Sequence, residues 1–91
     1  MAGFEWDDAK AKENLSKHGV SFEEASTVFG DPLYLEFEDI AHSHDEQRLN
    51  AIGRSVRGRI VVVAYVERGD RTRIISAWPA APRERDDYDN Q

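Results

Sequence analysis

The 91-residue chain has no cysteine, so no disulfide can staple it and a small core must hold it alone. It also lacks a run of the ~18 apolar residues that a membrane span needs. Its opening segment, Met1-Ala2-Gly3-Phe4-Glu5-Trp6-Asp7-Asp8, has neither the basic start nor the apolar stretch of a signal peptide. A cytoplasmic protein with no membrane role is the expectation. Repeats, low-complexity tracts and linker-like stretches are missing, which leaves one domain over residues 1–91. No glycine-rich phosphate loop, nucleophile elbow or metal-ligand motif is present. Positive charge is scarce too: 12 Lys and Arg stand against 18 Asp and Glu, a formal net charge of −6. That excludes a nonspecific nucleic-acid coat, whose affinity comes from neutralising phosphates. A free-standing DNA regulator fares no better, because no helix-turn-helix signal accompanies the acidity.

The charge that exists is unevenly placed. Acids crowd into Glu36–Glu46 and Asp86–Asp89, whereas Arg48–Arg73 holds seven arginines and only two acids, Glu67 and Asp70. A compact basic surface therefore survives inside an acidic protein, and an acidic patch remains for a basic partner.

The residue pattern predicts an α+β fold. Phe4–Trp6 reads as a short strand, and Asp7 or Asp8 caps a helix that runs to about His18 and stops at Gly19. Ser21 caps a second helix, with Glu24 placed to complete a capping box. Phe22, Ala25 and Phe29 give that helix one apolar stripe, and Gly30-Asp31-Pro32 ends it. The period then changes to two. Strands are expected around Leu33–Phe37, over Gln47–Gly53, over Ile60–Val66 and over Arg71–Trp78. The polar loop Asp39–Asp45, the turn Val56–Arg59 and the turn Glu67–Asp70 separate them. The unbroken apolar run Ile60–Val66 predicts a central strand buried on both faces. A short helix over Pro82–Tyr88, with proline in its first turn, closes the chain. The sum is a short N-terminal strand and two helices, a four-stranded antiparallel sheet, and a C-terminal helix, with helices covering one sheet face.

Three groups of side chains carry possible chemistry. Lys10, Asn14, Lys17 and His18 share a helix face. A lysine can hold a phosphate and an imidazole can move a proton, yet the same spacing fits a solvated face with cations near the helix C-terminus. Arg48 and Asn50 share one strand face, and Arg71, Arg73 and Ile75 share another. Such arginines bind phosphate or pair with Glu46 or Glu67. On the last helix, Glu84, Arg85 and Tyr88 share a face, either as acid/base groups or as docking contacts. The His42-Ser43-His44-Asp45-Glu46 segment has two histidines near carboxylates but no further ligand nearby, and reads better as a polar loop than as a metal site.

The ordered motifs together resemble the BrnT family of type II toxins. The carriers are Phe4-Glu5-Trp6-Asp7 with Lys10, then Asn14-Leu15-Ser16-Lys17-His18-Gly19-Val20-Ser21-Phe22-Glu23-Glu24-Ala25. They continue through Phe29-Gly30-Asp31-Pro32, His42-Ser43 with Glu46 and Arg48, Ile52-Gly53, Arg73-Ile74-Ile75-Ser76-Ala77, and Glu84-Arg85 with Tyr88. The resemblance implies a RelE-like fold and a ribonuclease that cleaves single-stranded RNA with no metal or other cofactor, inhibiting translation and growth. It also implies a BrnA-like ribbon-helix-helix antitoxin as partner, with operator DNA contacted only through that antitoxin. Carried over by position, Lys17, His18, Glu46, Arg48, Arg73, Glu84 and Tyr88 form the implied catalytic set. Lys10, Asn14, Arg71, Ser76, Trp78 and Arg85 form the implied RNA-binding set. The chain departs from the pattern after Ile75-Ser76-Ala77, where Trp78-Pro79 stands in place of the family's usual arginine. A tryptophan can stack on a base but carries no charge. The second reading is therefore a catalytically weakened or inactive relative that only binds an antitoxin.

Overall fold

The structure, a computed structural model, describes residues 3–91; Met1 and Ala2 of the opening segment lie outside the described residues. The elements are β1 (Phe4–Glu5), α1 (Asp8–His18), α2 (Phe22–Ser26), β2 (Leu35–Glu38), β3 (Leu49–Arg54), β4 (Ile60–Arg68), β5 (Arg71–Pro79) and α3 (Pro82–Asp89). Short 3₁₀ turns follow α2 at Thr27–Gly30 and β2 at Ile40–His42. Local chemistry sets most boundaries. The Asp7 carboxylate accepts from the Lys10 N–H at 3.0 Å and starts α1, and Gly19 ends it at φ 72°, a conformation that costs glycine nothing. Ser21 accepts from the Glu24 N–H at 3.0 Å and starts α2. The expected capping box is only half made, because the Glu24 side chain turns to Arg59 instead.

The sheet has five strands in the order β1-β5-β4-β3-β2. Strands β2 to β5 form the expected antiparallel meander, and β1 adds a fifth strand parallel to β5 through Phe4↔Thr72 and Glu5↔Arg73. A two-residue strand has too little pattern to announce a partner almost seventy residues away.

The central strand β4 is buried on both faces, as its apolar run requires. On one face α1 and α2 cover Ala51, Val61, Val63, Tyr65, Ile74 and Ala77, with Phe22, Ala25 and Val28 among the covering side chains. Phe29 meets Tyr65 edge-on at a centroid distance of 4.9 Å, an arrangement that aromatic quadrupoles favour. The opposite face is not bare. Helix α3 folds back over it and seats Tyr88 on Ile52, Ile60 and Val62 beside Trp78, which corrects the expectation that helices cover a single face. Eight mostly polar residues gave no periodicity from which to choose a face.

A bulge changes which residues face which way. The β4–β5 register shifts between Ala64 and Tyr65, so Ser76 pairs with Ala64 and Ile74 with Tyr65, leaving Ile75 extra. Arg73 therefore shares a face with Ser76 and Trp78, not with Ile75 as strict alternation predicts.

Beyond β1, the exposed edge of β5 is closed by a side chain. The Asn14 amide donates to Ala77 O and Val20 O, each at 2.9 Å, and accepts from Ala77 N and Ser76 Oγ, each at 3.1 Å. These four bonds use the full capacity of a carboxamide.

Candidate functional site

The sheet face that α3 only partly covers can be read row by row. Leu35, Ile52, Val62 and Trp78 form one row and Phe37, Asn50, Ala64 and Ser76 the next. Val66 and Arg73 form the third, and Arg48, just before β3, lines a recess with Val66. With strands about 4.8 Å apart, two strand spacings put the Arg48 and Arg73 backbones about 10 Å apart. That separation lets two long guanidinium side chains meet on one phosphate.

Five charged residues, Arg48, Arg73, Glu46, Arg68 and Glu5, lie at or beside this third row. Arg68, at the end of β4, donates to both Glu46 carboxylate oxygens at 3.0 and 2.9 Å. Arg73 donates to Glu5 at 3.1 Å. The Arg68 hydrogen bonds hold the Glu46 carboxyl below its usual range, with further help from the charges of Arg73 and Arg48. Arg68 thus pairs with Glu46, and Arg73 and Arg48 lie near enough for their charges to act on it. Among the described residues Arg48 has no ion-pair partner, and both Arg48 and Arg73 are partly solvent-accessible. Such an arrangement can take up an anion, since a phosphate can replace a carboxylate in a guanidinium fork.

A second group lies along the β5 edge. Lys10, Lys17 and His18 of α1, with Glu13, Ile75 and Ser76, line a cleft of about 160 Å³. Lys10 and Lys17 are exposed and His18 is half-buried. The His18 ring centroid lies 6.5 Å from that of Trp78. Ile75, the residue left extra by the bulge, lines this cleft.

The other expected site residues are placed differently. Asn14 is buried and its amide is saturated, so it latches α1 to β5 and has nothing left for RNA. Ser76 gives its hydroxyl proton to Asn14. Tyr88 is buried, and its hydroxyl donates to Asp31 Oδ2 at 2.5 Å. That bond, with burial, raises the tyrosine pKa and makes Tyr88 a docking residue for α3, not a free acid or base. Glu84 accepts from Ala81 N at 2.8 Å at the start of α3 and from Trp78 Nε1 at 3.3 Å, which makes it a helix cap rather than a reacting group. Arg85 lines a hollow with Arg54, Arg59 and Pro79, at the end of β5 away from Arg73. Arg71 is exposed at the start of β5. His42 meets Asp39 at 2.8 Å, and His44 lines the recess with Glu46 and Arg48.

Sequence reasoning missed Arg68 and Glu5. The sequence pattern puts Arg68 in the Glu67–Asp70 turn, but β4 and β5 are joined by Gly69-Asp70 alone, with Gly69 at φ 60°. The available signal was the Gly-Asp pair, which suits a two-residue hairpin and extends β4 by two residues, Glu67 and Arg68.

Residues 6–84 match the family described as "Ribonuclease toxin, BrnT, of type II toxin-antitoxin system". The fold is similar to the crystal structure of the Brucella abortus ribonuclease toxin BrnT, with a TM-score of 0.69 at 24% identity. That similarity covers 89% of this chain and 99% of the other. No curated protein sequence matches the chain.

Proposed function

The chain belongs to the BrnT family of type II ribonuclease toxins, and on that premise we propose that it cleaves single-stranded RNA without a metal, at the open end of its sheet. The observation that carries this reading is the meeting of Arg48, Arg68 and Arg73 around Glu46 on a partly exposed sheet face. An RNA phosphate displaces the Glu5 carboxylate from Arg73 and is taken up by Arg48 as well. A ribose 2′-hydroxyl then attacks the adjacent phosphorus, and the bond to the 5′-oxygen of the next nucleotide breaks. The products are a 2′,3′-cyclic phosphate and a 5′-hydroxyl. The arginines and Lys17 balance the charge that grows on the phosphoryl oxygens.

A proton must leave the 2′-hydroxyl and another must reach the departing oxygen. Glu46 is a poor acceptor while Arg68 holds it, because stabilised charge weakens a base. His18, facing the cleft with Lys10 and Lys17, is the better proton carrier. Glu46 keeps the arginines apart and oriented until substrate arrives.

Translation and growth are blocked by the same cleavage, and a BrnA-like antitoxin binds the chain to silence it. Operator DNA is contacted only through that antitoxin, and the pair works in the cytoplasm with no cofactor and no membrane. Among the described residues no helix is long and apolar enough to cross a membrane.

Cleavage of a defined single-stranded RNA with EDTA present tests the proposal. The expected outcome is cyclic-phosphate and 5′-hydroxyl ends. No cutting, with the antitoxin still bound, would leave a partner-binding module. Trp78 favours that second reading, since its ring packs on the Ile52, Ile60, Val62 and Tyr88 cluster and supplies no charge. A Trp78→Arg variant separates the two: gained cleavage means a disabled enzyme, and unchanged silence means a binding module.

A further inference from the structure

The two margins of the sheet are finished differently. At β5 the Asn14 amide occupies the backbone N–H and C=O of Ala77. At β2 no comparable side-chain latch is found among the described residues. The Asp39 N–H donates to Arg48 O at 2.8 Å, in register with Phe37↔Asn50 and Leu35↔Ile52. The alternation of an antiparallel ladder then turns the backbone groups of Leu35, Phe37 and Asp39 towards β3. It turns the N–H and C=O of Glu36 and Glu38 outward, where no backbone partner meets them among the described residues.

Exposed apolar side chains surround this margin: Leu33 is 58% exposed, Phe37 45% and Ile40 79%. Phe37 lies on the open sheet face, and Glu36 and Glu38 lie on the other. A strand that alternates apolar with Lys or Arg residues matches both faces at once. A second copy of Leu35–Glu38 does not, because it sets glutamate against glutamate.

We propose that the outer edge of β2 receives an extended, Lys/Arg-bearing segment of the antitoxin as a sixth strand. The segment takes up the outward N–H and C=O of Glu36 and Glu38 and lays its apolar residues beside Phe37. Its cations face the Glu36–Asp39 run, which explains why a toxin of net charge −6 keeps acids there. This proposal rests on the reading of the chain as an antitoxin-bound toxin.

The test is calorimetric titration of the full chain with its full-length antitoxin. Glu38→Pro removes one outward N–H but no bond to β3, and Glu38→Lys reverses the charge. Each is expected to weaken binding about tenfold or more, with folding and RNA cleavage unchanged. Val56→Ser, at an exposed site on the β3–β4 turn, is expected to bind as the unmodified chain does. In hydrogen exchange, the Glu36 and Glu38 amides are expected to slow when the antitoxin binds. Unchanged affinity of both Glu38 variants, or unprotected amides, would overturn the proposal. Concentration-dependent self-association relieved by Glu38→Pro would overturn it in favour of a second copy. Failure of the unmodified chain to bind any antitoxin would overturn both this proposal and the partner reading. Loss of cleavage alone would strike only the ribonuclease reading.

Discussion

One sheet face carries two unlike ends. Towards Pro79 it is apolar and sealed: Ile52, Val62 and Trp78 lie under Tyr88, whose hydroxyl is fixed to Asp31. Towards Arg71 it is charged and more open: Arg48 and Arg73 stand with Glu46, Arg68 and Glu5, away from the cluster that Tyr88 of α3 covers. The strands are shared, so the contrast comes from where an eight-residue helix lands. Three polar groups at the sealed end serve packing: Tyr88 donates to Asp31, and Trp78 donates to Glu84, which also accepts from Ala81 N. At the open end the carboxylates are partly exposed ion-pair partners, which limits what the pairs add to stability and leaves them open to displacement. Residue types that look catalytic in a sequence thus divide by position into those that hold the fold and those still free to act.

The division predicts opposite responses. Arg73→Ala is expected to lower RNA cleavage by ~10²–10³ while shifting the melting temperature little, since its Glu5 pair is a single, partly exposed contact. Parallel melts and cleavage assays read both, and a large stability loss with intact cleavage would erase the distinction. Tyr88→Ala is expected to do the reverse, costing about 3 kcal/mol in urea unfolding through lost ring packing, with cleavage by the folded fraction unchanged. Tyr88→Phe keeps the ring and isolates the bond to Asp31, for an expected loss of about 1–2 kcal/mol.

Acid is the mildest probe and acts on the frame. Asp31 is held below its ordinary 3.8 by hydrogen bonds from Tyr88, Arg54 N and Leu33 N that outweigh the opposing effect of burial. Glu24 is held below its ordinary 4.5, first by Arg59 and also by Ser55. Both folded values lie under the unfolded ones, so their stabilisation is present above the unfolded values and drains as pH falls through the folded ones. Unfolding free energy is expected to be flat above about pH 5 and to fall below about pH 4, and Glu24→Gln should flatten that fall. An unaltered slope in Glu24→Gln would remove Glu24 from the account.

The sequence made the frame more legible than the site. The caps at Asp7, Gly19 and Ser21 and the run Ile60–Val66 are local signals, and each marks the element it suggests. The bulge at Ile75 was hidden because Ile74 and Ile75 are both apolar, so an inserted residue left no break in the pattern. That one residue decides whether Arg73 faces Ser76 and Trp78. Tyr88 and Asn14 were ambiguous for another reason: docking and chemistry draw on the same polar atoms, and only their distant partners, Asp31 and Ala77, separate the two roles.

Asn14 also shows how a short chain can economise on length. A strand completing the β5 margin would take several residues; here one side chain stands in for it. The cost is tolerance at that position. Aspartate brings no donor for the Val20 and Ala77 carbonyls, leucine brings nothing polar, and glutamine, one methylene longer, overshoots the register. A single codon therefore guards the sheet's margin, and drift that the exposed helix surface around it would accept is closed to it.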